Sequence, residues 1–155
     1  MITKPRERGH LGGRRGNAVI EFALAFVVLV PVLLFSFEFG YTFYIYNEMQ
    51  SAVRSGVRFA SLQTYTSATA TPTQDWSNAV KNVVVYGNPS GGTAPVVPGL
   101  TTGDVSVVVT FEKAVPHWVT VSIGSYQANA VVRMLDIRTK PKLTVQYSGR
   151  WDPTT

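Results

Sequence analysis

The residues with the clearest chemical signal stand at the N-terminal end of an apolar segment. Arg14 and Arg15 precede Gly16, and Glu21 follows five positions later among apolar residues. A carboxylate costs about 2.5–3.5 kcal/mol at the centre of a bilayer. Glu21 can snorkel to the interface or pair with the arginines at modest cost. It can instead pair with a free amino group at Asn17, if the chain is cut after Gly16 and copies pack as staggered parallel helices. Spacing leaves both explanations open.

The segment that carries this glutamate has the length of a membrane span. Residues 18–37 hold one charge in 20 positions, about 30 Å of helix. Tyr41, Tyr44 and Tyr46 follow and suit the aromatic belt of a membrane interface. The segment is too long for a cleaved secretory signal and lacks its cleavage pattern. We therefore expect a transmembrane helix over residues 17–46, with a kink at Pro31, which removes one backbone hydrogen bond.

The distribution of charge orients this segment. Residues 1–16 carry five Lys or Arg and one Glu, a net charge of +4, whereas the other 139 residues carry a net charge of +1. Residues 1–16 are thus a basic leader, which the positive-inside rule places in the cytoplasm. The later residues have no concentrated basic surface for nucleic acid. The absence of cysteine excludes disulfides and thiolate chemistry.

The helical pattern continues beyond the membrane segment, over residues 47–62. Apolar and small residues recur there at helical spacing: Ile45, Met49, Ala52, Val53, Gly56, Val57 and Ala60. Ala52 and Gly56 are small residues four positions apart, which permits close approach of another backbone. This stripe can cover the protein's own core, the favoured interpretation, or pack against another subunit.

Residues 63–155 are predicted to form an α+β domain outside the cytoplasm. Residues 61–74 have the composition of a linker. Helical spacing over residues 76–84 predicts a second helix, with Thr73 or Asp75 as its cap and Gly87 at its end. The β-branched residues 83–85 also permit a strand. Period-two alternation then predicts an antiparallel sheet, with strands near residues 105–111, 119–123, 126–134 and 143–147.

Residue types with catalytic potential are few in this domain. His117 is its one histidine, too few for a metal centre, and its carboxylates are scattered singly. His117 and Trp118, next to Pro116, suggest a partly buried loop anchor. No phosphate-binding loop or hydrolase motif is present. We therefore predict a non-enzymatic protein that holds no metal and no cofactor.

Several elements in order give the first third of the chain a family resemblance. Gly16 followed five positions later by Glu21 resembles the N-terminus of type IV pilin-like proteins. The sequence is most similar to TadE-like pseudopilins of the tight-adherence (Flp) pilus system, over about residues 14–60. The match begins with RRGNAVIEFAL, which contains Val19, Glu21 and Phe22. It continues with Pro31, with Glu38-Phe39-Gly40 and, at its end, with Arg54, Gly56, Arg58 and Ala60.

The resemblance implies a minor pseudopilin in a bacterial inner membrane. It implies a prepilin peptidase that cuts between Gly16 and Asn17, a role for Glu21 and Phe22 in assembly, and packing with other pilin-like subunits on an assembly platform. A main pilin subunit is the alternative within the class, but about 95 residues after Ala60 favour a minor component. The alternatives from other classes are an uncleaved single-pass envelope protein with a periplasmic binding domain and a membrane-tethered hydrolase.

Overall fold

The protein has one long helix, one shorter helix and a three-stranded sheet. A computed structural model describes residues 13–124, 126 and 141–153, with side chains from Gly16 onward. The elements are α1 (Gly13–Leu62), α2 (Gln74–Tyr86), a 3-10 turn (Thr102–Asp104), β1 (Val105–Glu112), β2 (Val115–Ile123) and β3 (Lys142–Gln146). The predicted α+β class is confirmed. The chain divides into two compact units between Phe39 and Gly40.

The N-terminal unit, in its described part, is the first half of α1. Its apolar side chains are exposed, among them Val19, Phe22 and Leu34. The helix passes through Pro31 without interruption. Proline cannot donate a backbone hydrogen bond, so it leaves the carbonyl four residues earlier without its usual helical partner.

The sheet of the second unit is an antiparallel meander in the order β1-β2-β3. Lys113 and Ala114 form the turn of the β1–β2 hairpin, and both have positive φ angles, of 53° and 64°. A register shift between Thr110 and Phe111 makes His117 an extra residue in β2, so that Thr110 pairs with Trp118 and Phe111 pairs with Pro116. Such a bulge bends the strand and turns neighbouring side chains to the same face.

The core lies between the second half of α1, α2 and one face of the sheet. The apolar stripe of α1 is buried, which confirms that it covers the protein's own core. The segment around Val83–Val85 is helical rather than extended, and Val80 and Val84 are fully buried. Gly87 ends α2 with a φ of 72°, as predicted. Thr73 occupies the N-cap position, but its side chain makes no capping hydrogen bond.

The segment predicted to be a linker or loop, residues 61–74, is tied to the end of the chain by contacts of Tyr65. Tyr65 is fully buried and forms an isolated parallel bridge with Trp151. The backbone N–H of Tyr65 lies 2.8 Å from the carbonyl oxygen of Arg150 and 3.0 Å from the hydroxyl of Tyr147. That hydroxyl in turn lies 2.8 Å from the carbonyl oxygen of Gln63. One phenol therefore links the segment after α1 to the segment after β3.

The structure corrects the predicted loop position of His117 and Trp118, and it describes only the first residue of the strand predicted over residues 126–134. His117 and Trp118 lie within β2, not in a loop, because the bulge accommodates Pro116 and keeps the strand continuous. Of the strand predicted over residues 126–134, only Tyr126 lies in the described part; its hydroxyl donates to the carbonyl of Pro98 at 2.8 Å, and residues 127–134 fall outside the described residues.

Candidate functional site

The predicted cleavage point lies on an open turn of α1. Gly16 and Asn17 are helical and exposed. A Cβ atom built on Gly16 has no neighbouring atom within 4 Å. Glycine in a helix interior is about 1 kcal/mol less favourable than alanine. Packing in the described chain therefore gives no reason for a glycine at this position. The side chains of Arg14 and Arg15 are outside the described set.

Glu21 lies one and a half turns further along the same helix. Its side chain is exposed among exposed apolar residues, with Phe22 beside it. Among the described side chains, none forms a hydrogen bond or an ion pair with Glu21. The described side chains therefore supply no counter-charge to this carboxylate.

The surface around Glu21 is apolar along the whole first half of α1. Phe22 is 69% exposed, and its ring lies 5.9 Å from that of Phe26. In the described residues α1 alone is long and apolar enough to cross a membrane, and none of its most apolar window is buried. Exposed apolar surface of this extent marks contact with lipid or with other proteins. The helix thus fits a single-pass membrane anchor.

The apolar segment contains a few polar side chains, and one of them is hydrogen-bonded within its own helix. The hydroxyl of Ser36 donates to the carbonyl of Val32 at 2.9 Å, within the same helix. This bond satisfies the hydroxyl without a partner chain, as hydrocarbon surroundings require. Glu38 is half-buried near the end of the segment. Tyr41 and Tyr44 are about half exposed, in keeping with an interfacial belt.

The two small residues of the second half of α1 face the protein's own interior. Ala52 and Gly56 are both buried. A Cβ atom built on Gly56 would collide with a γ-methyl group of Val84 in α2. The missing side chain therefore allows close approach of α1 and α2 within one chain. Spacing alone predicted close approach at Gly56 but did not identify α2 as the neighbour.

No catalytic or metal-binding arrangement appears in the described part of the chain. Nowhere in that part do three or more His, Cys, Asp or Glu side chains gather as metal ligands would. Nδ1 of His117 lies 3.2 Å from a carboxylate oxygen of Glu112, without the angle of a hydrogen bond. A contact of this kind, without hydrogen-bond geometry, contributes little to stability. Two side chains at a strand end do not form an acid–base site by themselves.

Sequence reasoning missed two groups of residues. The cluster of Tyr65, Trp76 and Phe111 has rings 5.2 and 5.9 Å apart, but its members are far apart in sequence. Burial raises the pKa of the Tyr65 phenol above its ordinary value. The outward face of the sheet, with Trp118 exposed, was also missed. The alternation of β2 contained that signal, because the buried Val119 leaves Trp118 on the opposite face.

Comparison with known proteins bears on the first third of the chain. The family model described as TadE-like protein matches residues 16–58. No curated protein and no solved structure matches the chain. The matched region contains Gly16, Glu21 and Pro31 and ends in the buried half of α1. Residues 16–58 are thus a TadE-like segment, which is consistent with a TadE-like protein of the Tad pilus system.

Proposed function

We propose that this chain is a minor pseudopilin needed for assembly of a tight-adherence (Flp) pilus. In this proposal α1 spans the inner membrane once, with the basic leader in the cytoplasm and the residues after Tyr46 in the periplasm. The TadE-like segment supports the pilus system. The exposed apolar half of α1 supports the anchor. The excess of Lys and Arg before Gly16 supports the orientation.

A prepilin peptidase cuts between Gly16 and Asn17 in this proposal. The support is that the described residues give no packing reason for Gly16, which lowers helix stability relative to alanine. A glycine lets the backbone enter a peptidase site without a side chain. Arg14 and Arg15 keep the leader on the cytoplasmic side, where they remain after the cut.

The exposed carboxylate of Glu21, without a counter-charge among the described side chains, is the observation that carries the proposal. The cut creates an amino group at Asn17. In a staggered bundle of parallel helices, that amine reaches Glu21 of a neighbouring subunit. Their attraction is strong there because the surrounding dielectric constant is low. Phe22 adds apolar contact beside the pair. Before assembly Glu21 snorkels to the interface.

Other pilin-like subunits and the assembly platform are the partners in this scheme. The buried positions of Ala52 and Gly56 bear on how those partners pack. Because α2 already covers Gly56, we assign subunit packing to the exposed part of α1 that contains Glu21, Phe22 and Pro31. The domain beyond Ala60 favours a minor component over a main pilin subunit.

The cleavage is tested by intact mass and N-terminal peptide mapping of the membrane-extracted protein, from cells with and without the prepilin peptidase. We expect a new terminus at Asn17 only when the peptidase is present. A chain that keeps residues 1–16 beside an active cognate peptidase contradicts the proposal and favours the uncleaved envelope protein.

The role of Glu21 is tested by Glu21→Gln, which removes the charge and keeps the shape. We expect normal membrane insertion and cleavage, with pilus output reduced at least about tenfold, the effect of a lost interaction of about 1.4 kcal/mol. Glu48→Gln is the control, since it removes the same charge from α1 outside the apolar segment. Unchanged pilus output in Glu21→Gln, or an equal loss in Glu48→Gln, refutes the specific pairing.

A further inference from the structure

The outward face of the sheet combines one exposed aromatic ring with rows of hydroxyl groups. In β2 the buried residues Val119, Val121 and Ile123 point to the core, so Trp118 and Thr120 lie on the opposite face. Trp118 is 41% exposed. A tryptophan is a large apolar surface that sheets normally bury. This one stays open because it faces away from both helices.

The register places apolar and hydroxyl groups on alternate corners of a small square. Val108 pairs with Thr120, and Thr110 pairs with Trp118. The two apolar side chains are therefore diagonal neighbours, about 7–8 Å apart, and the two threonines occupy the other diagonal. On the far side, Gln146 pairs with Trp118 and brings an exposed amide next to the ring. The face is amphipathic at the scale of a single sugar ring.

The indole ring of Trp118 is in contact with the neighbouring ring of His117. Its ring lies 4.9 Å from that of His117 and nearly perpendicular to it, at 82°. His117 is itself beside the carboxylate of Glu112, at 3.2 Å. The bulge in β2 puts the histidine and the tryptophan side by side. A ring fixed on one side loses little conformational freedom when a ligand covers its open side.

Charge narrows the kind of ligand that suits this face. Within the three strands the Lys, Asp and Glu side chains are Glu112 and Lys142, at strand ends, and Glu112 is beside His117. The centre offers hydroxyls, an amide and apolar surface. The hydroxyls of Thr120 and Thr144 lie 2.9 Å apart, so one of the two keeps a proton to donate outward. Among the described residues of this face an anionic polymer finds no cluster of cations, and a purely apolar partner would bury hydroxyl groups that still have hydrogen-bonding capacity, at a cost.

We infer that this face binds an uncharged glycan strand, with a sugar ring stacked on Trp118 and its hydroxyl or acetamido groups bonded to Thr110, Thr120 and Gln146. A sugar ring presents C–H groups on its faces and hydroxyls at its rim, which matches the alternation of the square. The source of this glycan rests on the proposed periplasmic location of the domain. In that compartment the source is the N-acetylated glycan of the cell wall, through which a pilus must pass.

The test uses the full chain in detergent micelles. The probes are a tetramer of β-1,4-linked N-acetylglucosamine in solution, followed by isothermal titration calorimetry, which needs no tryptophan reporter, and washed peptidoglycan sacculi, followed by co-sedimentation. Trp118→Ala removes the stacking surface, and Trp118→Phe restores a smaller ring. Val108→Ala is compared with Val96→Ala, the same change at a residue of similar exposure (52% against 45%) that lies outside the sheet.

We expect binding to both probes, weakened about tenfold by Trp118→Ala and much less by Trp118→Phe. Val108→Ala should weaken binding and Val96→Ala should not. Absence of tetramer binding by the wild-type chain overturns the inference, and so does equal binding by Trp118→Ala. A Trp118→Ala variant that changes the oligomeric mass rather than sugar binding makes the face a contact between copies and also overturns it.

The outcome is separable from that of the proposed function. Tetramer binding is measured on purified protein and does not depend on cleavage at Gly16. A chain that is cut normally but binds no sugar loses the glycan inference and keeps the pseudopilin proposal. A chain that binds sugar but is never cut keeps its glycan face and loses the pseudopilin proposal.

Discussion

A methyl group at position 56 should weaken the packing of α1 on α2. In the Gly56→Ala variant, the new Cβ collides with a γ-methyl group of Val84, and the Cβ atom of Val84 lies 3.5 Å away. Val84 is fully buried, so its side chain cannot move aside into solvent. A valine in a helix also has one strongly preferred χ1 rotamer, so rotation of the methyl group is costly.

The magnitude is the difference between two opposing effects. Overpacking of a filled core costs about 1–3 kcal/mol. Replacement of glycine by alanine in a helix interior returns about 1 kcal/mol. The difference spans about 0–2 kcal/mol. Because the new Cβ collides with a buried side chain, we expect the upper half of this range, about 1–2 kcal/mol. These values correspond to a folded-to-unfolded ratio that falls about fivefold to thirtyfold.

Hydrogen exchange of the α2 amides is the suitable assay, because it reports opening of this domain even if the membrane half of α1 stays helical in detergent. We expect α2 amides to exchange about fivefold to thirtyfold faster in Gly56→Ala. Gly40→Ala is the matched control, since a Cβ atom built there has no neighbour within 4 Å. In a Val84→Ala background, Gly56→Ala should become neutral or stabilising. Unchanged or slower exchange in Gly56→Ala alone would refute the reasoning.

Three further predictions concern the junction between the segment after α1 and the end of the chain. Tyr147→Phe removes the hydroxyl beside the Tyr65 N–H and the Gln63 carbonyl, and should lower the free energy of unfolding by about 1–3 kcal/mol; Tyr86→Phe, in the same assay of thermal unfolding, should change it little. Gly149→Ala would place a Cβ atom 2.6 Å from the Gln63 carbonyl oxygen, so amides near Tyr65 should lose exchange protection, and unchanged protection contradicts the packing. Burial raises the pKa of Tyr65 and of Tyr147 above 10.0, so the unfolded chain releases these protons first. The free energy of unfolding should not depend on these two groups below about pH 10, and it should fall as the pH rises above that value. The measurement is phenolate absorbance at 295 nm. Absorbance that appears at the ordinary tyrosine pKa in the native protein would contradict the prediction.

Hydrophobic periodicity predicted the elements whose structure depends on residues that are close in sequence. The stripe from Ile45 to Ala60 is periodic, and each of its residues is buried. Val83–Val85 was ambiguous, because β-branched residues favour strands while the spacing with Trp76 and Val80 favours a helix. Packing against Gly56 decides for the helix, and a sequence pattern does not contain that contact.

What local sequence did not predict depends on distant contacts. Tyr65 stands in a Ser- and Thr-rich stretch, which composition predicted to be a linker or loop without indicating that Tyr65 is buried. Its backbone bonds are with Arg150 and Asp152, more than 80 positions later. The strand position of His117 depends on a bulge that only the pairing with β1 defines. The position of Glu21 was predictable, and the absence of a counter-charge among the described side chains was not.

The glycines of α1 differ in whether packing within the described chain requires them. Within the described side chains, Gly56 is required by the approach of Val84, whereas Gly16 and Gly40 have no neighbour within 4 Å. Each of these two costs about 1 kcal/mol relative to alanine, with no return from packing. A folded chain by itself gives no reason to keep them. Both lie in the TadE-like segment, and Gly16 lies where the proposed cut occurs. We therefore attribute Gly16 to processing, and we expect Gly16→Ala to block the new terminus at Asn17 while leaving the exchange of α2 amides unchanged.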